Sequence, residues 1–169
     1  TPFKGILFVG LMIDGESPNV IEYNVRFGDP ETQILLPLVE GDIFPTFLAA
    51  AKGELGSLSS EDAINMRSEF SVHVVMSSGG YPSTDGSPMN LGNEILYPSE
   101  LMANQTSGDD ILFVAGAKND PNGTLTNSGG RVLGVTCVSD SLEGAIKGAY
   151  KKIEQINFNG AHWRRDIGR

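Results

Sequence analysis

A chain of 169 residues has room for one domain or two small ones and can bury a real core. Its 40% hydrophobic and 20% charged content is that of a globular protein, and no apolar stretch approaches the roughly 20 residues of a membrane span. A formal charge of −9 argues against a general nucleic-acid binder, which needs a basic face.

In chain order, Lys4 to Asp14 reads as a long apolar strand, Gly15 to Pro18 as its turn, and Asn19 to Phe27 as the antiparallel return. Helices are expected over Pro30 to Leu38 and Asp42 to Lys52. The second starts at Asp42 as cap and carries Phe44, Phe47, Leu48 and Ala51 on one stripe. Gly53 to Asp62 is polar and lacks an apolar period, so a domain boundary is placed there or slightly later, giving units 1–66 and 67–169.

The second unit opens with a strand, Phe70 to Met76, and a small-residue turn, Ser77 to Pro82. A punctuated loop follows, Ser83 to Gly92. Asp110 to Ala117 and Gly123 to Thr126 read as strands around the turn Asn119-Asp120-Pro121-Asn122-Gly123, and Arg131 to Val138 is the most apolar strand. Asp140 then caps a helix, with Glu143 completing a capping-box pattern. Leu142, Ala145, Ile146, Ala149, Ile153 and Ile156 form its core stripe. The fold class expected is α+β, with largely antiparallel strands and a packed helix in the second unit.

The single cysteine, Cys137, excludes an internal disulfide and reads as a small core residue. His73 lies within a strand and His162 beside Trp163. Neither has the local partners of a metal site or a triad, and both read as structural. Lys147, Lys151 and Lys152 read as the solvated side of the last helix, the alternative being a basic end that favours a phosphate ligand. A reducing cytoplasm is expected. Thr1 is no initiator methionine, so the natural polypeptide is expected to continue upstream.

The stretch richest in chemistry is V-I-E-Y-N-V-R-F-G-D-P-E-T-Q, Val20 to Gln33. Strand alternation puts Ile21, Tyr23, Val25 and Phe27 on one side and Glu22, Asn24 and Arg26 on the other. Two hard oxygen ligands followed by a fixed positive charge suit a magnesium ion bridging the oxygens of a polyphosphate. The alternative is an ordinary solvated strand face. Gly28-Asp29-Pro30 then supplies a residue tolerant of positive φ, a capping Asp and a Pro suited to a first helical turn. Helix N-termini attract carboxylates and phosphates.

I-E-Y-N-V-R-F-G-D-P-E-T-Q resembles the signature of the phosphoribosylamine–glycine ligases, members of the ATP-grasp superfamily. F-K-G-I-L-F-V-G-L-M-I (Phe3 to Ile13) resembles the strand leading into it. V-M-S-S-G-G-Y-P (Val75 to Pro82), T-N-S-G-G-R-V-L-G-V-T (Thr126 to Thr136) and R-R-D-I-G (Arg164 to Gly168) resemble later family segments in the same order. The resemblance implies the C-terminal part of an ATP-grasp subdomain followed by the family's C-terminal domain. It also implies ATP-dependent joining of glycine to phosphoribosylamine, through a glycyl phosphate, in purine synthesis.

By resemblance, Glu22 and Asn24 hold Mg²⁺ (or Mn²⁺) against the ATP phosphates. Arg26 and Asp29 are the catalytic candidates, Arg26 stabilising phosphoryl or acyl-phosphate charge. Gly28, Asp29 and Pro30 shape the glycine or phosphoribosylamine pocket. Gly79, Gly80, Tyr81 and Pro82 are a substrate-side loop or simply a tight turn. Asn127, Gly129, Gly130 and Arg131 are a phosphate-facing turn with a bidentate Arg, or a hairpin turn with an exposed one. Trp163-Arg164-Arg165-Asp166 matches the family end and serves there or seals the domain edge. Many ATP-grasp enzymes place another acidic ligand on the preceding strand, yet Val9, Gly10 and Leu11 are not acidic. The chain carries part of an active site, is expected to be inactive without its upstream part, and is expected to need neither membrane nor nucleic acid. Two alternatives remain: a related carboxylate–amine ligase, and a non-catalytic assembly module of the same fold.

Overall fold

A computed structural model describes residues 2–103 and 110–169. The chain divides into two compact units, Thr1–Arg67 and Ser68–Arg169.

The first unit opens with an antiparallel hairpin of β1 (Phe8–Asp14) and β2 (Ser17–Asn24), with Asp14 opposite Ser17 and Gly15 at φ 59° in the turn. Both strands are shorter than their apolar pattern predicts: β1 starts four residues late and β2 ends three residues early. The pairing shifts between Gly10 and Leu11, so that Gly10 faces Glu22 while Leu11 faces Val20. Ile21 is the extra residue of a β-bulge, which breaks the strict alternation.

After a turn come α1 (Thr32–Leu35), a 3-10 turn (Leu36–Leu38) and β3 (Val39–Glu40). The helix expected from Pro30 is thus one short turn, interrupted by Pro37, which cannot donate to its ladder. α2 (Phe44–Lys52) starts two residues after Asp42, whose Oδ1 accepts from the Phe44 N–H at 2.9 Å, and ends at Gly53 with φ 79°. β4 (Asn65–Met66) pairs with β3. The stripe expected to be buried on α2 is not: Phe44 is 63% and Leu48 41% exposed, and only Ala49 of that helix is buried.

The second unit holds the core. β5 (Phe70–Ser77), β9 (Arg131–Ser139) and β6 (Asp110–Val114) form an antiparallel sheet in the order β5-β9-β6. Val132 to Val138 are all buried, as expected of a central strand covered on both faces. Pairing sets Val72, Val74 and Met76 beside Cys137, Val135 and Leu133, and this face receives α4 (Leu142–Ile153). Ala145, Ala149 and Ile153 of α4 are fully buried, and burial of a side chain such as Ile153 contributes roughly 1.5–3 kcal/mol. Leu142, read from periodicity as core, is 43% exposed.

The opposite face carries His73, buried, with Nδ1 at 2.8 Å from Thr136 Oγ1 and its ring edge-on to Phe113. The cap of α4 is Ser141, not Asp140: its extended backbone lets its Oγ accept from the Gly144 N–H at 3.2 Å. A helix α3 (Ser99–Ala103) precedes β6, and β7 (Ala117–Asn119) pairs with β8 (Leu125–Asn127). The single long strand expected over Asp110–Ala117 is therefore split at Ala115-Gly116.

The closing segment is bound to this unit at two points. His162 and Ser77 exchange backbone hydrogen bonds of 2.8 and 3.1 Å. The Tyr150 hydroxyl donates to Arg164 O and accepts from the Ile167 N–H. No described helix is long and apolar enough to cross a membrane.

Candidate functional site

In the first unit, Glu22 and Asn24 lie beyond the bulge, in the regular part of β2. They share a face with their cross-strand partners Gly10 and Phe8. Gly10 has no side chain, and a Cβ there would sit 3.1 Å from Glu22 Cγ, so the glycine leaves Glu22 room above the hairpin. Glu22 is exposed and Asn24 half-buried. The chain thus sets a carboxylate and a carboxamide on one face of the hairpin. Among the described residues no group of three or more His, Cys, Asp or Glu side chains is arranged to hold a metal. A divalent ion on this pair would take its remaining ligands from phosphate oxygens and water, which suits Mg²⁺.

Arg26 departs from its expected place. The strand ends at Asn24, so the period of two no longer aims Arg26 along the face of Glu22. Its Nη1 instead donates to Phe27 O at 2.7 Å, and the side chain is exposed. Gly28 is buried and closely packed: a Cβ would meet the Glu31 carboxylate and come within 2.9 Å of Phe8. Its carbonyl accepts from the Thr32 N–H at 3.2 Å and from the Thr32 hydroxyl. Asp29 is exposed and its Oδ1 accepts from Gln33 Nε2 at 3.0 Å. Pro30 lies in the turn ahead of α1 rather than as its first residue. A cavity of about 460 Å³ opens beside this turn, lined by Ile6, Phe8, Phe27, Gly28, Glu31 and Ile34.

In the second unit the two loops singled out by sequence meet. Ser78 N–H donates to Gly130 O at 2.8 Å and Ser78 Oγ to Gly129 O at 2.8 Å. The Tyr81 ring lies over Gly130, where a Cβ would fall inside it. Asn127 is fully buried. Its Nδ2 donates to Ser78 Oγ at 2.7 Å and to Asn90 O at 2.6 Å, and its Oδ1 accepts from the Asn93 N–H at 2.7 Å. Those backbone partners fix which way the carboxamide points.

Gly80, Pro82 and Arg131 are exposed, while Gly79, Tyr81 and Gly130 are half-buried. Asn90 and Asn93, within and just beyond a stretch read only as loop, join the cluster. Their signal was the local density of asparagine in P-M-N-L-G-N, a residue type that bonds backbone in turns.

At the end of the chain, Arg164 makes a two-pronged pair with Asp166 (2.9 and 2.7 Å), and the Arg165 guanidinium lies 5.3 Å from the Trp163 ring centre. The Arg164 guanidinium holds the Asp166 carboxyl below its ordinary range. These groups bind each other at the surface.

Residues 71–169 match the model of the phosphoribosylglycinamide synthetase C domain, and residues 1–32 match that of the same enzyme's ATP-grasp (A) domain. The chain belongs to the phosphoribosylglycinamide synthetase family.

It is 41% identical over 99% of its length to a bifunctional purine biosynthetic protein of Dictyostelium discoideum. It is 40% identical over 98% to a phosphoribosylamine–glycine ligase of Chlorobaculum tepidum, and 41% identical over 98% to a chloroplastic one of Arabidopsis thaliana. It spans 20%, 36% and 30% of those relatives respectively. The crystal structure of a phosphoribosylamine–glycine ligase from Thermotoga maritima is similar, with a TM-score of 0.73 and 32% identity. That match covers 95% of this chain and 36% of the other.

Proposed function

We propose that this chain is the C-terminal segment of a phosphoribosylamine–glycine ligase. As part of the longer polypeptide it would join glycine to 5-phosphoribosylamine at the expense of ATP, giving glycinamide ribonucleotide, ADP and phosphate. The observation that carries the reading is the placing of Glu22 and Asn24 on one face, with Glu22 opposite a glycine, in a chain of this family. A Mg²⁺ (or Mn²⁺) ion held there would neutralise charge on the phosphates of ATP.

Glu22 and Asn24 orient that charge. Arg26, exposed and donating to Phe27 O, would turn toward phosphoryl oxygens when substrate arrives. The Gly28-Asp29-Pro30 turn shapes the carboxylate side of the site, where Asp29, held by Gln33, would orient an amine. The Gly79–Pro82 loop and the Gly130-Arg131 turn present backbone and guanidinium to the phosphoribosyl substrate. Turnover would come chiefly from alignment of three reactants and neutralised charge. A cytoplasmic setting suits the lone, buried Cys137, and one relative is named as chloroplastic.

The test is ADP release by the intact polypeptide with Mg-ATP, glycine and phosphoribosylamine, each omitted in turn. Release that requires both glycine and phosphoribosylamine is expected. Release with another carboxylate or amine in their place would move the chain to a different ligase, and none from folded protein would leave a non-catalytic module.

A further inference from the structure

Asn127 was singled out by its motif as a substrate contact, yet it has no exposed surface, and its amide and its backbone are committed within the protein. Its carboxamide reaches Ser78 at the end of β5 and Asn90 and Asn93 in the next loop. Its backbone N–H donates to Asn93 O at 3.0 Å and its carbonyl accepts from the Gly92 N–H at 2.8 Å. Ser78, also without exposed surface, passes the connection on by donating from Oγ to Gly129 O. The Asn90 N–H closes the circuit on Gly79 O at 2.8 Å.

We infer that Asn127 and Ser78 form a buried relay that makes the loops 78–82, 90–93 and 128–131 one rigid platform. The relay acts on substrate only through the groups it positions, namely Gly80, Tyr81, Gly130 and Arg131. This deepens the ligase reading and rests on it for the identity of the substrate, the phosphoribosyl amine. Asn127 is accordingly a positioning residue. A buried polar network is stiff when every member is satisfied and loosens as a whole when one is removed. Neither loop is held by apolar burial alone: Gly80 and Pro82 are exposed, and Tyr81 is only half-buried. The Tyr81 ring packs on Gly130, and the hydrogen bonds tie the three loops to one another. Asn90 and Asn93 are thereby part of the platform although they need touch no ligand.

The experiment uses the intact polypeptide carrying Asn127→Asp, which keeps the acceptor toward Asn93 but cannot donate to Asn90 O. A second variant, Ser78→Ala, removes a single hydroxyl and stands in should the first fail to fold. Hydrogen–deuterium exchange is read on peptides covering the three loops. The expected result is exchange about tenfold faster in all three loops together, with Val132–Val138 unchanged. Faster exchange confined to the substituted segment would overturn the relay.

Steady-state kinetics then give the functional arm. KM for phosphoribosylamine is expected to rise about tenfold, well beyond any fall in kcat, with KM for ATP steady. Loops that loosen together while no KM moves would overturn the role assigned to the platform. A wild-type chain that releases no ADP on addition of glycine and phosphoribosylamine would sink the ligase reading instead, and the exchange result would still decide the relay.

Discussion

The two units spend their apolar residues in opposite ways. Every member of the buried core cluster lies in Ser68–Arg169, whereas among the described residues 16 of the 21 exposed large hydrophobic side chains lie in Thr1–Arg67. On β1 and β2 alone, Met12, Ile13, Ile21 and Tyr23 are each 59–64% exposed. A two-stranded hairpin with uncovered faces is marginal in water, while a three-stranded sheet under a helix is a self-sufficient layer. The first unit carries the proposed metal ligands, the second the stability. The part with the proposed ligands is therefore the one whose apolar residues are left more exposed.

The sharpest way to break this contrast is to separate the units. Residues 68–169 expressed alone should unfold cooperatively by circular dichroism, whereas residues 1–67 alone should lack a transition and bind a dye for exposed apolar surface. A cooperative transition in the shorter piece would show that it needs no cover. Single substitutions should reproduce the asymmetry. Ile153→Ala, at a fully buried position, should cost about 2–5 kcal/mol in denaturant melts, while Leu48→Ala, 41% exposed, should stay within about 0.5 kcal/mol.

Glu22→Ala runs the other way. The residue is exposed, so stability should change by no more than about 0.5 kcal/mol, while ADP release by the intact polypeptide should fall at least about 100-fold. Equal loss of fold and activity would mean that Glu22 is structural. Gly130→Ala should cost about 1–3 kcal/mol by driving a methyl into the Tyr81 ring, and should move the 78–82 loop with it.

What was legible in the sequence follows the same division. The Arg131 to Val138 strand and the stripe Ala145, Ala149, Ile153, Ile156 were readable because unit 2 buries them itself, so pattern and environment agree. The α2 stripe had the same periodicity, yet Phe44 and Leu48 point into solvent. Periodicity reports a face that wants burial and does not say whether the same stretch of chain supplies the partner. Alternation put Glu22 and Asn24 on one face of β2, as the pairing shows, but carried the strand on to Arg26, since neither the bulge at Ile21 nor the strand end at Asn24 has a compositional mark. The burial of Asn127 was not legible, because its hydrogen bonds to Ser78, Asn90 and Asn93 join residues 34 to 49 positions apart. Asp140 lost the cap to Ser141, a one-residue error between two good capping types.

The smallest expected effect is electrostatic and lies at the start of α4. Glu143 and Lys147 pair at 2.7 Å one helical turn apart on the exposed side, and the Lys147 ammonium holds the Glu143 carboxyl below its ordinary value. A carboxyl whose pKa is lower folded than unfolded adds stability above its unfolded value. That contribution fades as pH falls through the lowered pKa, in the acid range under 4.5. For Lys147 the same pair raises the ammonium pKa. Its share is therefore complete below the ordinary 10.5 and fades only as pH rises beyond it. Glu143→Gln should leave unit 2 folded at neutral pH and flatten the acid arm of its melting temperature against pH, an effect that added salt should shrink because both groups face water. Ser141→Ala, two residues away, removes a cap and should lower stability by about 1 kcal/mol at every pH. An acid arm unchanged by Glu143→Gln would show that the pair is present in the fold without contributing to it.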